Sequence, residues 1–129
     1  MSIQAMNHFT VLTQNLDASK AFYIGLLGFT DGPRPPFDFP GAWLYLGGQA
    51  VLHLVAGRPV PDPPAGVLDH MAFSASNLAA TTALLKARGI DYVLRRQAGY
   101  GPWQLFFHDP NGAKVELDFS ADEAAPGAS

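Results

Sequence analysis

The chain has 129 residues, of which 48% are hydrophobic and 15% are charged, so it can bury a core and lacks the composition of a disordered chain. Its net charge of -3 and the lack of a basic run argue against a nucleic-acid or anionic-membrane partner. Because cysteine is absent, disulfides and thiolate ligands are excluded, and a metal would have to bind His, Asp or Glu. The start lacks a charged segment followed by an apolar core, and no apolar run reaches membrane-spanning length, so a cytoplasmic protein is expected.

The chain opens with a strand and a helix. Residues Met6–Thr13 alternate in polarity and predict a strand. Asn15 is a suitable N-cap for the helix that follows, and Gly28 stands where a C-terminal cap would be. The next segment, Thr30–Gly41, contains four prolines and is predicted to be a loop, because proline cannot continue a strand ladder.

A hairpin and a linker complete the first half. Ala42–Leu46 and Ala50–Val55 read as two strands joined by Gly47 and Gly48, and His53 lies on the second strand. Gly57–Gly66 is rich in proline and predicts a linker of polyproline character.

The same order of elements then returns. Leu68–Ala75 is a predicted strand, Asn77–Gly89 a helix, Tyr92–Leu94 a short strand and Trp103–Phe119 a hairpin. The tail, residues 121–129, is small and polar and is expected to fray.

The second hairpin carries an acidic residue that calls for an explanation. Asp109-Pro110-Asn111-Gly112 has the residues of a tight turn between apolar runs. On the returning strand, three apolar side chains point to one face, and Lys114, Glu116 and Asp118 point to the other. A solvated outer face is the ordinary explanation for Glu116, unless the rest of the chain gives it a function.

The chain repeats itself at a nearly constant offset. His8 and His70 are 62 positions apart, and His53 and Glu116 are 63 apart. Four residues that can bind a metal therefore occupy two equivalent pairs of positions, which chance placement does not explain.

The predicted fold class is α+β, with two tandem β-α-β-β-β modules that form a paired curved sheet around a metal cleft. We place module 1 at about residues 5–56, the linker at 57–66, module 2 at about 67–120 and the tail at 121–129. Three imidazoles and one carboxylate suit a divalent ion such as Ni, Zn, Fe(II) or Mn, with one or two positions left open for substrate or water.

The motifs resemble those of the vicinal oxygen chelate superfamily, which includes glyoxalase I, bleomycin-resistance proteins, fosfomycin-resistance enzymes, methylmalonyl-CoA epimerase and extradiol dioxygenases. The residues that carry the resemblance, which covers Met6–Phe119, are the repeated halves, Ala21-Phe22-Tyr23 with Leu27-Gly28-Phe29, the strand with His70, and the Asp109–Gly112 turn before Glu116. The closest likeness is to small glyoxalase-I-like proteins.

By this resemblance, the four metal positions of the superfamily fall on His8, His53, His70 and Glu116. Bacterial glyoxalase I resembles His, Glu, His, Glu in this order, so His53 is a departure that leaves Glu116 as the one candidate catalytic base. The dioxygenases resemble a His, His, Glu triad, which His8, His70 and Glu116 supply without His53. Both readings stay open, as does a second one for His53, in which it faces the cleft without coordinating.

Six further side chains are candidates for substrate binding, although plain packing or solvent exposure would also account for each of them. These residues are Arg34, Trp43, Tyr45, Tyr100, Gln104 and Phe106. His108 is expected to face away from the metal and to be structural.

An enzyme acting on a small molecule is favoured over a metal-free bleomycin-resistance-like binding protein, which has no need of His and Glu at all four positions. Between reactions, glyoxalase-like proton transfer is preferred to ring cleavage. The resemblance also implies a homodimer, in which His8 and His53 of one chain would meet His70 and Glu116 of the other, with pairing inside one chain equally allowed.

Overall fold

The computed structural model describes residues 1–127 and divides into two compact units on either side of the Pro64–Ala65 bond. Each unit contains one four-stranded sheet. The predicted α+β class with two tandem β-α-β-β-β modules is therefore confirmed. Among residues 1–127, no helix has both the length and the apolar character that crossing a bilayer requires.

The first unit has the strand order β1-β4-β3-β2, with β1 parallel to β4. Its elements are β1 (Phe9–Thr13), α1 (Leu16–Lys20) continuing as a π-helical segment (Ala21–Leu26), β2 (Thr30–Gly32), β3 (Gly41–Leu46) and β4 (Gln49–Ala56). The loop prediction for Thr30–Gly41 is wrong at its start. Thr30, Asp31 and Gly32 precede the first proline and pair with β3 as an edge strand.

The caps predicted for the first helix are present. The Asn15 side chain accepts a hydrogen bond from the backbone N–H of Ala18, at 3.0 Å. Gly28, at φ +82°, follows the last helical turn. The helix packs against β3 and β4, and its π-helical part buries Phe22 and Tyr23.

The second unit has the equivalent strand order β5-β8-β7-β6, with β5 parallel to β8. Its elements are β5 (Met71–Ala75), α2 (Leu78–Ala87), β6 (Val93–Arg96), a 3₁₀ turn (Gln97–Gly99), β7 (Trp103–His108) and β8 (Lys114–Phe119). Both first strands begin later than predicted, at Phe9 and Met71, so His8 and His70 each lie one residue before a strand.

The predicted turn of the second hairpin is confirmed. One carboxylate oxygen of Asp109 accepts hydrogen bonds from the backbone N–H groups of Asn111 and Ala113, both at 2.8 Å. Gly112 adopts φ +89°, which is accessible to glycine at little cost. The turn fixes the register in which Phe106 lies opposite Glu116.

The prediction that the tail frays is wrong for its first three residues. The Glu123 carboxylate accepts hydrogen bonds from the backbone N–H groups of Asn77 and Leu78, at 3.2 and 2.7 Å, and so caps α2. Trp103 Nε1 donates to the Glu123 carbonyl at 2.9 Å, and Arg96 donates to the Ala121 carbonyl. The last two residues of the predicted tail, 128 and 129, lie outside the described residues.

The strand register sets the faces of both sheets. In the first unit Phe9 pairs with Leu52 while Thr10 pairs with His53. In the second unit Met71 pairs with Val115 while Ala72 pairs with Glu116. As predicted from the alternation, the apolar residues share one face of each sheet, and His53 and Glu116 lie on the other.

Candidate metal and substrate site

His8 and His53 form a stacked pair in the first unit. Their ring centroids are 3.8 Å apart, with 15° between the ring planes. The Trp43 indole is stacked on His53 as well, at 4.1 Å and 9°. Because Trp43 is the cross-strand neighbour of His53 and Thr10 lies on its other side, the sheet register brings these rings together.

The two ring nitrogens of His53 have different roles. Its Nε2 lies 3.1 Å from the Ala50 carbonyl oxygen, which can only accept, so Nε2 donates and Nδ1 is left as the acceptor. Burial lowers the pKa of His53, with a smaller contribution from the neighbouring His8, and the bond to Ala50 partly opposes both. Coordination through Nε2 would require His53 to leave Ala50.

His70 and Glu116 form the pair of the second unit. His70 Nε2 lies 3.0 Å from Glu116 Oε1, and Glu116 is only 6% exposed. Two donor atoms that each lie about 2.1 Å from one ion, at a right angle, are about 3.0 Å apart. The separation of these two atoms therefore fits two neighbouring ligands of a single divalent ion.

A residue next to each strand-leading histidine orients its ring. Asn7 Oδ1 lies 2.7 Å from His8 Nδ1, and Asp69 Oδ2 lies 2.8 Å from His70 Nδ1. Both oxygens accept a hydrogen bond, so each Nδ1 carries the proton. Each Nε2 is then able to act as a metal donor. The bond to His70 and the nearby Lys114 lower the pKa of Asp69. Asn7 and Asp69 were missed, although they stand 62 positions apart like the histidines beside them.

Each unit thus contains one pair of neighbouring side chains of the kinds that bind metals. Within neither unit do three or more His, Asp or Glu side chains of residues 1–127 form a group that could hold a metal ion by itself.

Asp118 is a second carboxylate on the same strand face as Glu116. Burial, followed by the hydrogen bond and the charge of Glu116, raises the pKa of Asp118 to about 6. Its Oδ1 is the one buried side-chain oxygen or nitrogen without a hydrogen-bond partner in residues 1–127. Asp118 was missed as a site residue. The signal was its departure from the repeat, since the position 63 residues earlier is Val55.

Two of the predicted substrate-binding residues, Arg34 and Trp43, line a cavity of about 610 Å³ in the first unit, together with His8 and His53. Phe37 and Phe39, from the proline-rich loop, also line it and were missed. The Phe-Asp-Phe sequence three residues after Arg34 was the available signal.

The other four candidates for substrate binding do not line this cavity. The Tyr45 hydroxyl donates to the Pro33 carbonyl, and Tyr45 is not among the residues that line the cavity. Gln104 Nε2 donates to Glu116 Oε2 at 3.4 Å, and the Phe106 ring lies edge-on to His70 at 6.1 Å. The Tyr100 side chain is 78% exposed on its loop.

His108 was expected to face away from the metal, and the register contradicts this. It pairs with Lys114, two residues from the Phe106–Glu116 pair, and so lies on the same sheet face as Glu116. It is solvent-exposed at the end of β7.

Comparison with known proteins agrees with this fold and these motifs. Residues 5–117 match the family described as the Glyoxalase/Bleomycin resistance protein/Dioxygenase superfamily. The chain belongs to this superfamily. A superfamily relative from Arabidopsis thaliana, Glyoxylase I 4, is 34% identical over 124 residues, which cover 91% of this chain and 71% of the relative.

Solved structures share the superfamily fold. A glyoxalase family protein from Enterococcus faecalis is 29% identical, with a TM-score of 0.67, and the match covers 92% of this chain and 99% of that one. A mutant of the fosfomycin resistance protein FosX from Listeria monocytogenes, complexed with Mn(II) and 1S,2S-dihydroxypropylphosphonic acid, has a TM-score of 0.76 at 16% identity, over 92% and 94% of the two chains. The FosX likeness concerns the fold.

The raised pKa of Asp118 predicts how the stability of the metal-free protein depends on pH. Because its pKa is raised in the folded state, its contribution to stability is present below about pH 4 and is lost as the pH rises through about 6. Asp118→Asn keeps the group neutral, so the gain in Tm over the wild type should be larger at about pH 8 than at about pH 4. Thermal unfolding measures this, with the exposed Asp122→Asn as control. An equal effect at both pH values would contradict the assignment.

Proposed function

We propose that the protein is a divalent-metal-dependent enzyme of the glyoxalase type, which moves a proton on a small chelating carbonyl substrate. The observation that carries the proposal is the His70–Glu116 pair, whose 3.0 Å separation suits two ligands of one ion. His8, His53, His70 and Glu116 would hold the ion, which is Ni, Zn, Fe(II) or Mn. When bound, it would supply Lewis acidity that favours negative charge on a substrate oxygen.

Glu116 is the proposed base. Its carboxylate is almost fully buried, so little water competes for the proton that it accepts. Gln104 donates to one carboxylate oxygen at 3.4 Å, and the other oxygen lies 3.0 Å from His70 Nε2. With His53 in place of a second carboxylate, the chain offers no equivalent base in the first pair.

Asn7 and Asp69 are proposed as positioning residues. Each accepts a hydrogen bond from the Nδ1 of the following histidine, which keeps Nε2 available as a metal donor. Arg34 and Trp43 are the proposed substrate contacts in the first unit, and Gln104 and Phe106 are the proposed contacts in the second. Tyr45 and Tyr100 have weaker support, because the Tyr45 hydroxyl is bound to Pro33 and Tyr100 is exposed.

An extradiol-type dioxygenase is the second candidate, and one observation favours it. His53 Nε2 is bonded to the Ala50 carbonyl, and if His53 keeps this bond and does not coordinate, His8, His70 and Glu116 would be the donors of a three-ligand iron site. Three protein ligands leave the three positions that a catecholate and dioxygen require, whereas four do not.

The first test is metal binding. Protein purified without chelators should hold about one divalent ion per site, and His70→Ala and Glu116→Ala should each weaken binding more than about 100-fold, because each removes a ligand. His108→Ala is the matched control, since His108 lies on the same face but at the exposed strand end, and it should leave binding unchanged. Elemental analysis and titration calorimetry provide the measurements. No metal, together with no binding of Ni, Zn, Fe(II) or Mn, would refute the enzyme proposal.

The reaction is tested by two parallel assays. Anaerobic protein loaded with Ni, Zn or Mn is offered hemithioacetals of small 2-oxoaldehydes, and Fe(II)-loaded protein in air is offered a panel of catechols. We expect turnover of a hemithioacetal, reduced by about 100-fold or more in Glu116→Gln because the base is lost. Oxygen uptake with catechols and no hemithioacetal turnover would instead establish the dioxygenase.

A homodimer is proposed because the superfamily resemblance implies one. Sedimentation at micromolar concentration should show a dimer, and a monomer alone would contradict the proposal. Co-expressing a His8→Ala/His53→Ala chain with a His70→Ala/Glu116→Ala chain tests whether the ligands are shared. Shared sites would restore metal binding in about a quarter of all sites, because half of the dimers are mixed and each mixed dimer has one intact site. No recovery would assign all four ligands to a single chain.

A further inference from the structure

Arg34 is held in a fixed position inside the cavity of the first unit. Its guanidinium lies 5.1 Å from the ring centroid of Phe37 and 5.1 Å from that of Phe39. Its Nη2 donates to the Phe39 carbonyl at 2.6 Å. The two rings and the carbonyl orient the cation without neutralising it, because none of them carries a negative charge.

Among the described residues, this positive charge has no carboxylate in an ion pair with it. In the part of the chain that the structure describes, Arg34 forms no ion pair. The residues that line the cavity include neither Asp nor Glu. A half-buried guanidinium with free N–H donors and no counter-charge is suited to an anion from outside the protein, and a carboxylate matches its planar fork.

The rest of the wall is aromatic. The Phe37 and Phe39 rings are stacked at 5.0 Å, while Phe37 and Trp43 are 6.4 Å apart and inclined at 50°. Phe37 is 43% exposed, so part of its surface is available to a ligand. The cavity volume of about 610 Å³ lies within the range of about 300–1,000 Å³ that is usual for small-molecule sites.

The start of the loop is anchored. The Tyr45 hydroxyl donates to the Pro33 carbonyl, next to Arg34. The Tyr45 ring packs so closely on Gly32 that a Cβ added there would lie 2.5 Å from it. The proline-rich segment therefore presents Arg34 from a fixed origin, which lowers the entropy cost of binding.

We infer that this cavity binds a flat aromatic carboxylate, with the carboxylate on Arg34 and the ring against Phe37 and Trp43. The inference rests on the proposed function in taking the cavity as the substrate side of the site, and it names the substrate class. A ligand carrying an ammonium group is disfavoured, since the lining offers that group no carboxylate.

Binding to metal-free protein tests the inference separately from the metal chemistry. Calorimetry on EDTA-treated protein compares 2-naphthoate with 2-naphthamide, which lacks the charge, and with cyclohexanecarboxylate, which lacks the flat ring. We expect 2-naphthoate to bind at least about tenfold more tightly than either. Equal binding of 2-naphthamide, equal binding of cyclohexanecarboxylate, or no binding of 2-naphthoate would overturn the inference.

Two arginine variants locate the anion. Arg34→Met keeps an apolar side chain of similar length and should remove the preference for 2-naphthoate over 2-naphthamide. Arg58→Met is the matched control, because Arg58 also lies over the Phe39 ring, at 5.8 Å, but does not line the cavity. The preference should survive in the control, and Tm values verify that both variants fold. Loss of the preference in Arg58→Met, or its survival in Arg34→Met, would refute the assignment.

The two proposals fail separately. If metal binding and turnover are absent but Arg34 still selects 2-naphthoate, the enzyme proposal fails and the ligand class stands. If metal binding and hemithioacetal turnover are present while 2-naphthoate is not selected, the ligand class is wrong and the enzyme proposal stands.

Discussion

The parallel pairing of the first and last strands of each unit is the constraint on which the candidate site depends. These strands are separated by a helix and a hairpin in the sequence, yet β1 lies beside β4 and β5 beside β8. The pairing brings the histidine before each first strand to the candidate ligand on the last strand: His8 to His53, and His70 to Glu116. The apolar faces of the same strands, with Leu52 and Val115 fully buried, fix the register, because a one-residue slip would bury the ligands instead.

Burying Glu116 has a cost that its neighbours only partly offset. Removing a carboxylate from water is unfavourable unless donors replace the water, and here Gln104 donates to one oxygen, while His70 can donate to the other only when both of its ring nitrogens carry protons. Asp118 adds a second carboxylate on the same face, and the two charges oppose each other, as its raised pKa reflects. Such crowding of acids is typical of a site organised for a ligand rather than for stability, and it accounts for the stabilisation expected from Asp118→Asn.

Much of this arrangement could be predicted from the sequence, because strand alternation has a period of two and the repeat offset is nearly constant. The turn residues Asp109–Gly112 predicted the second hairpin, and the superfamily resemblance is the basis on which the four metal positions are proposed. Two contacts between distant segments could not be predicted. Glu123 caps α2 from 45 positions away along the chain, and the Arg34 environment depends on how a proline-rich loop folds back. Local polarity says nothing about either contact.

The two candidate reactions differ in whether His53 would bind the ion. The neighbours of His53 leave its imidazole ring two orientations. The ring is stacked between His8 and Trp43, so its plane is fixed. A half-turn about the Cβ–Cγ bond keeps that plane but removes Nε2 from the Ala50 carbonyl. The lost hydrogen bond costs about 1 kcal/mol, whereas a four-ligand zinc site can contribute about 10–16 kcal/mol in total. A site with four protein ligands would therefore have His53 in the turned orientation, whereas a site with three would leave Nε2 bonded to the Ala50 carbonyl.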